Sequence, residues 1–204
     1  MCDGAFGYNL RIPENIRELF MWLCQDLAAL YEKWKFYIEL FGKQENTELM
    51  SDLAQSSFQI IEESIRSDLT MGICRLSDPP KSSGKTNLSI KTLVNKCENI
   101  KNLKESFDEF NEACGPIRHL RNKKEGHNDL NTKIKPKDNP LPGIGRKQID
   151  KILNEASKIL NIIYKEYIGG ELAFDVTLNR GGASDLLDCL EKAKEYQNRN
   201  CKIY

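Results

Sequence analysis

From Pro13 the apolar residues Ile16, Phe20, Leu23, Leu27, Leu30, Trp34, Tyr37 and Phe41 recur in alternating steps of four and three. That is the period of one face of an α-helix, and Gly42 closes it. Pro13 stands near the first turn, where its missing N–H costs nothing. A second helix is predicted from about Glu48 to Leu76, with Leu49, Leu53, Ile61, Ile65, Leu69, Ile73 and Leu76 on one side. The stretch SDPPKSSGKTN then carries two prolines and no period. A third helix is predicted from near Leu88, through Leu93, Cys97, Ile100, Leu103, Phe107 and Phe110. Cys114-Gly115-Pro116 interrupts or kinks it. A short helix then carries HLRNKKEGHNDL, residues 119–130.

Residues 131–146 hold three prolines, two glycines and four basic residues, which predicts a long basic loop. Helical spacing returns from about Lys147 to Tyr167 through Ile149, Ile152, Ala156, Ile159 and Ile163. Residues 169–183 read as an irregular connection with a short extended piece at LAFDVTL, and Ser184 is expected to cap a last helix over 184–198. Trp22 and Trp34 fall at or beside the stripe of the first helix, as core or dimer-packing residues do. No repeat and no strand set emerges. The expected fold is all-α, a single-domain antiparallel bundle of four to six helices over 1–204, with long first helices and a short motif helix.

A chain of 204 residues with 40% hydrophobic residues can bury a real core. Thirty Lys and Arg balance thirty Asp and Glu, so a general nucleic-acid coat protein is not indicated. The balance is local, however. Between residues 117 and 147 nine Lys or Arg face three Asp or Glu, and a polyanion would find that segment attractive. The seven cysteines include no CxxC pair, and Cys24, Cys74 and Cys97 lie in apolar helical registers. They read as reduced core residues of a cytoplasmic protein, without zinc-ligand spacing. No basic start precedes an apolar run, and no apolar stretch approaches the roughly 20 residues a bilayer needs, so no membrane is expected.

Two motifs compete for a chemical reading. PPKSSGKT ends like a phosphate-binding P-loop, but Pro79 stands where the first glycine belongs and a helix precedes it. It reads as a polar connection, basic enough to touch a phosphate backbone at most. The second is Arg121 and His127, with both histidines of the chain close by. On a straight helix the two would lie about 120° apart around the axis and about 9 Å along it, so they do not stack. Gly126 loosens the turn before His127, and the Arg side chain can swing. Composition alone leaves a solvated helix face and a reactive pair both open.

Arg121, Asn122 and His127 fit the signature of the HEPN proteins, in which an Arg and a polar residue precede a His. SDLTMGICRLSDPPKSSGKTNLSIKTLV, residues 67–94, together with GGASDLLDCL, resembles the U-type abortive-infection branch of that superfamily. In that branch "RL-DP" precedes "NLS" and a helix. The resemblance spans roughly residues 15–195. Gly126 stands where such sequences often carry Ala. The resemblance implies an all-α homodimer whose two motifs face one cleft, without metal or other cofactor. It implies a metal-independent ribonuclease or toxin of phage defence or of a toxin–antitoxin system. Other members only bind RNA, a nucleotide or a protein partner. Arg121, Asn122 and His127 would be the catalytic residues. His127 would transfer protons, Arg121 would stabilise the phosphorane, and Asn122 would hold His127 or a phosphate. Arg118, Lys123, Lys124 and Arg75 would contact substrate. Arg75 and Asp78 are expected to form an ion pair, which either braces the site or is an ordinary pair at the helix end, and His119 to be a surface or capping residue ahead of a second acid or base. The expected partners are RNA, a second copy of the chain, and an antitoxin or other protein.

Overall fold

The computed structural model describes residues 11–122, 145–176 and 181–200. Seven helices and one small hairpin occur among them: α1 Glu14–Phe41, α2 Gln44–Leu76, β1 Lys81–Ser82, β2 Lys85–Thr86, α3 Ile90–Val94, α4 Leu103–Ala113, α5 Gly115–Leu120, α6 Arg146–Tyr167 and α7 Ala183–Asn200. The all-α class follows. Among the described residues no helix is long and apolar enough to cross a membrane.

The chain gathers into two compact units. The first takes the chain up to Leu30 and Thr70–Phe174, and the second takes Tyr31–Leu69 and the chain from Asp175. In the first unit the predicted stripe of α1 is buried at Ile16, Phe20, Leu23, Leu27 and Leu30. α4 packs along α6, and Phe110 of the one and Ile152, Ala156, Ile159 and Ile163 of the other are all buried. Phe20 stacks on Tyr164 with centroids 6.4 Å apart. Gly72 lets α2 approach α1 closely, since a Cβ there would lie 2.5 Å from Leu30 Cδ2. Cys24, Cys74, Cys97 and Cys114 are free and buried.

In the second unit Leu40, Met50 and Ala183 form a core with Phe36, Phe41, Phe58, Leu186, Leu187 and Leu190 packed against it. Tyr37 Oη donates to Glu62 Oε1 at 3.0 Å, and Lys194 pairs with Asp52 at 2.6 Å. α2 breaks its helical geometry at Ala54 (φ −160°, ψ 57°).

Several expected details differ. The third helix is two, α3 and α4. Between them Cys97, Ile100 and Leu103 are linked by hydrogen bonds from each N–H to the carbonyl three residues earlier. Such turns keep every third residue on one side, so the apolar spacing survives without an α-helix. Asn102 then takes the left-handed region at φ 63° and starts α4. The break at SDPPKSSGKTN contains the β1–β2 hairpin, with Lys81 opposite Thr86 and Ser82 opposite Lys85. Its two-residue turn has Ser83 at φ 49° and Gly84 at φ 78°, the pair of positive φ that a type I′ turn requires. No strand forms at Leu172–Val176, the described part of LAFDVTL. α7 starts before Ser184. Its first turn is closed by Asp185, whose Oδ2 accepts from Gly181 N at 2.8 Å. Trp34 is buried, whereas Trp22 is 57% exposed and Ile61 of α2 is exposed as well.

Candidate functional site

The site begins where α2 must stop. Pro79 and Pro80 lack the N–H to continue it. The last turn closes through Ser77 N to Ile73 O and Asp78 N to Arg75 O. Asn87 then fixes the segment that follows. Its amide donates to Pro79 O at 2.7 Å, and its backbone N donates to Pro80 O at 2.9 Å. Ser89 caps α3 by accepting from Thr92 N. The family-like "DP…NLS" is thus a knot of hydrogen bonds that holds Asp78 in place.

α5 approaches this point from the other side of the sequence. Cys114 joins α4 to α5, and Pro116 sits in the first turn of α5. Arg118 and Arg121, one turn apart, share a side. Arg118 Nη2 donates to Asn111 O at 2.8 Å. Arg121 Nη2 lies 3.6 Å from Asp78 Oδ1. At Arg121 and Asn122 the helix widens from α to π geometry. Such widening loosens backbone hydrogen bonding and is frequent at functional sites.

The polar groups here are incompletely matched. Among the described residues, Arg118 Nη1 and Arg121 Nε are buried donors without a hydrogen-bond partner, although the Arg121 guanidinium also reaches the Cys74 thiol. Among the described residues only one of the two guanidiniums, that of Arg121, has a carboxylate partner. Beneath them lie two thiols. Burial pushes the Cys74 thiol up, opposed chiefly by the adjacent Arg121 guanidinium. Burial pushes Cys114 up to about 12, against the pull of Arg118 and a hydrogen bond with Ser77. Both are neutral at physiological pH and act as apolar floor. Orphaned guanidinium N–H groups above an uncharged floor suit an anion with several oxygens, such as a phosphate.

The structure thus brings Arg121 to Asp78, with Arg118 one turn earlier on the same side and bonded to Asn111 O. It does not bring Arg75 there. Arg75 is exposed and, among the described residues, forms no ion pair, so the expected Arg75–Asp78 brace is replaced by Arg121–Asp78. Arg75 turns to solvent because its neighbours Cys74 and Leu76 occupy the buried side of α2. Asn122 and His119 are exposed. Lys123, Lys124, Gly126 and His127 lie outside the described residues, as does the loop 131–144. Sequence reasoning missed Cys74, Ser77, Cys114 and Asn87 as parts of the site. For Asn87 a signal existed, a polar residue inside the family-like segment. For the others none did, because only the packing of α5 on α2 juxtaposes them. Among the described residues no group of three His, Cys, Asp or Glu could hold a metal ion.

Residues 13–186 match the family model HEPN_AbiU2, described as AbiU2. No curated protein and no solved structure gives a match.

Proposed function

The chain belongs to the AbiU2 family of HEPN proteins, which makes it an abortive-infection protein of HEPN type, and we propose that it is an RNA-cleaving member acting in phage defence. The observation that carries this reading is the pair Arg118 and Arg121, two guanidiniums with buried N–H groups that find no partner among the described residues, Arg121 opening the Arg-Asn-His signature. A phosphodiester supplies the oxygens that those donors lack.

Metal-free RNA cleavage needs a base for the 2′-OH, an acid for the 5′ oxygen and a cation for the phosphorane. Arg121 is the cation, permanently charged and forked to match phosphate oxygens. His127 titrates near neutral pH and moves the proton. The 2′ oxygen attacks phosphorus as His127 takes its proton. The P–O5′ bond breaks as the partner's His127 protonates the leaving oxygen. The single His of the motif, His127, cannot hold both protonation states, so a two-fold dimer with both motifs on one cleft is part of the proposal. Asn122 orients His127 or a phosphate oxygen. Lys123 and Lys124, next in sequence, add backbone contacts. The buried free thiols support a reducing, cytoplasmic setting.

End-group analysis tests the chemistry. RNA cut by the wild-type protein ends in a 2′,3′-cyclic phosphate. A 3′-hydroxyl end would contradict the mechanism, because it requires attack by water instead of the 2′ oxygen. Tight RNA binding with no cleavage would favour a purely binding member of the fold.

A further inference from the structure

The residues Lys81–Thr86 are all exposed and contribute nothing to the core. A two-stranded hairpin is marginal in water without support. Here the support comes from Asn87 at its base. Besides the bonds to Pro79 O and Pro80 O, Asn87 Oδ1 accepts from Ser82 Oγ at 3.0 Å and Asn87 O accepts from Thr92 Oγ1 at 2.8 Å. The stem is therefore held to α3, while its six residues offer two lysines, three hydroxyls and a glycine turn to solvent. No acidic residue occurs from Pro79 to Cys97. Among the described residues neither Lys81 nor Lys85 forms an ion pair. Lys81 follows three residues after Asp78, a chain reach of at most roughly 10 Å, and Asp78 pairs with Arg121.

We propose that the Lys81–Thr86 hairpin is the flank of the Arg121 site that grips single-stranded RNA by its backbone. Lys81, Lys85 and the hydroxyls of Ser83 and Thr86 take phosphates next to the one held at Arg121, while the Ser82 hydroxyl stays on Asn87. The inference rests on the RNA-cleaving reading and adds a second contact region to it. Lysines and hydroxyls bind phosphate without reading bases, so the grip is indifferent to sequence. A tightly clamped stem suits this task, because little ordering entropy remains to be lost when RNA binds.

The test uses the full chain carrying His127→Ala, so that RNA survives the measurement. Labelled single-stranded RNA is titrated by fluorescence anisotropy across a series of salt concentrations. Adding Lys81→Gln and Lys85→Gln should raise Kd by roughly tenfold and reduce the steepness of log K against log salt by about 1.4, two phosphates' worth for a single strand. A charge-matched pair, Lys104→Gln with Lys192→Gln, should leave both unchanged. An unaltered Kd and slope in the hairpin variant would overturn the hairpin proposal and leave the RNase reading standing. Equal losses in the charge-matched pair would overturn it too, as mere bulk charge. No RNA binding by the His127→Ala chain at low salt would remove both readings at once.

Discussion

Asp78 Oδ1 and Arg121 Nη2 stand 3.6 Å apart, joining the turn that closes α2 to the residue that directly follows α5. The two side chains are 31% and 29% exposed, so their pairing is worth under about 1 kcal/mol to folding. Its consequence is aim. A guanidinium held by one nitrogen keeps its other N–H groups in a fixed direction. Asp78→Asn should therefore cut RNA cleavage at least tenfold while shifting unfolding by less than about 1 kcal/mol. Asp78→Glu should restore part of the activity. Parallel loss of activity and stability in a urea titration would show a structural role instead.

Arg118 should behave as a fork and not as a simple charge. Arg118→Lys keeps the charge but loses the planar donors, including the bond to Asn111 O. Weakened RNA binding in Arg118→Lys, close to that of Arg118→Ala, is expected. Full activity in Arg118→Lys would mean that charge alone suffices.

Asn87 holds the base of the hairpin through side-chain bonds to Pro79 and Ser82. Asn87→Ala should lower stability by about 1–2 kcal/mol, at roughly 1 kcal/mol per bond. It should also reduce cleavage, because the segment it closes positions Asp78. Chemical denaturation and the cleavage rate check both halves.

Gly72→Ala separates helix propensity from packing. Propensity alone predicts a gain of about 1 kcal/mol. The new Cβ, however, would meet Leu30 Cδ2 at 2.5 Å, so a net loss of about 1–3 kcal/mol is expected. The loss should shrink in a Leu30→Ala background, which a double-mutant cycle measures.

Alkaline pH should destabilise the fold through its thiols. Burial raises Cys24 and Cys114 from 9.0 to about 12 in the folded chain. Between those values the unfolded chain releases protons that the folded chain keeps. Their stabilisation is thus fully present below pH 9.0 and is lost as pH rises toward about 12. The urea midpoint should fall from pH 8 to pH 10.5, and less steeply in Cys24→Ala/Cys114→Ala, compared as changes with pH. Among the described cysteines, exposed Cys189 should react first with a thiol reagent.

The long elements were legible because their apolar residues repeat at the period of the helix. α1 matches its stripe almost to the residue, and α6 follows Ile152, Ala156, Ile159 and Ile163. The third helix misled because Cys97, Ile100 and Leu103 keep a three-residue spacing that tight turns satisfy equally well. Ser184 misled because Asp185 accepts from Gly181 N and closes the turn one step earlier. Arg121 and Arg118 were legible as candidates from local charge and from the signature. The partnership with Asp78 was not, since nothing in linear spacing tells which of Arg75 and Arg121 will reach it. That is decided by which side of α2 is buried, and Arg75 lies on the other.

The central claim is that Arg121 and His127 form one RNA-cleaving site. Purified wild-type protein, Arg121→Ala and His127→Ala, each confirmed folded, should be incubated with labelled single-stranded RNA and tRNA in chelator. Cleavage by the wild type that both variants lose is the predicted result. Cleavage by all three would place the chemistry elsewhere and contradict the account.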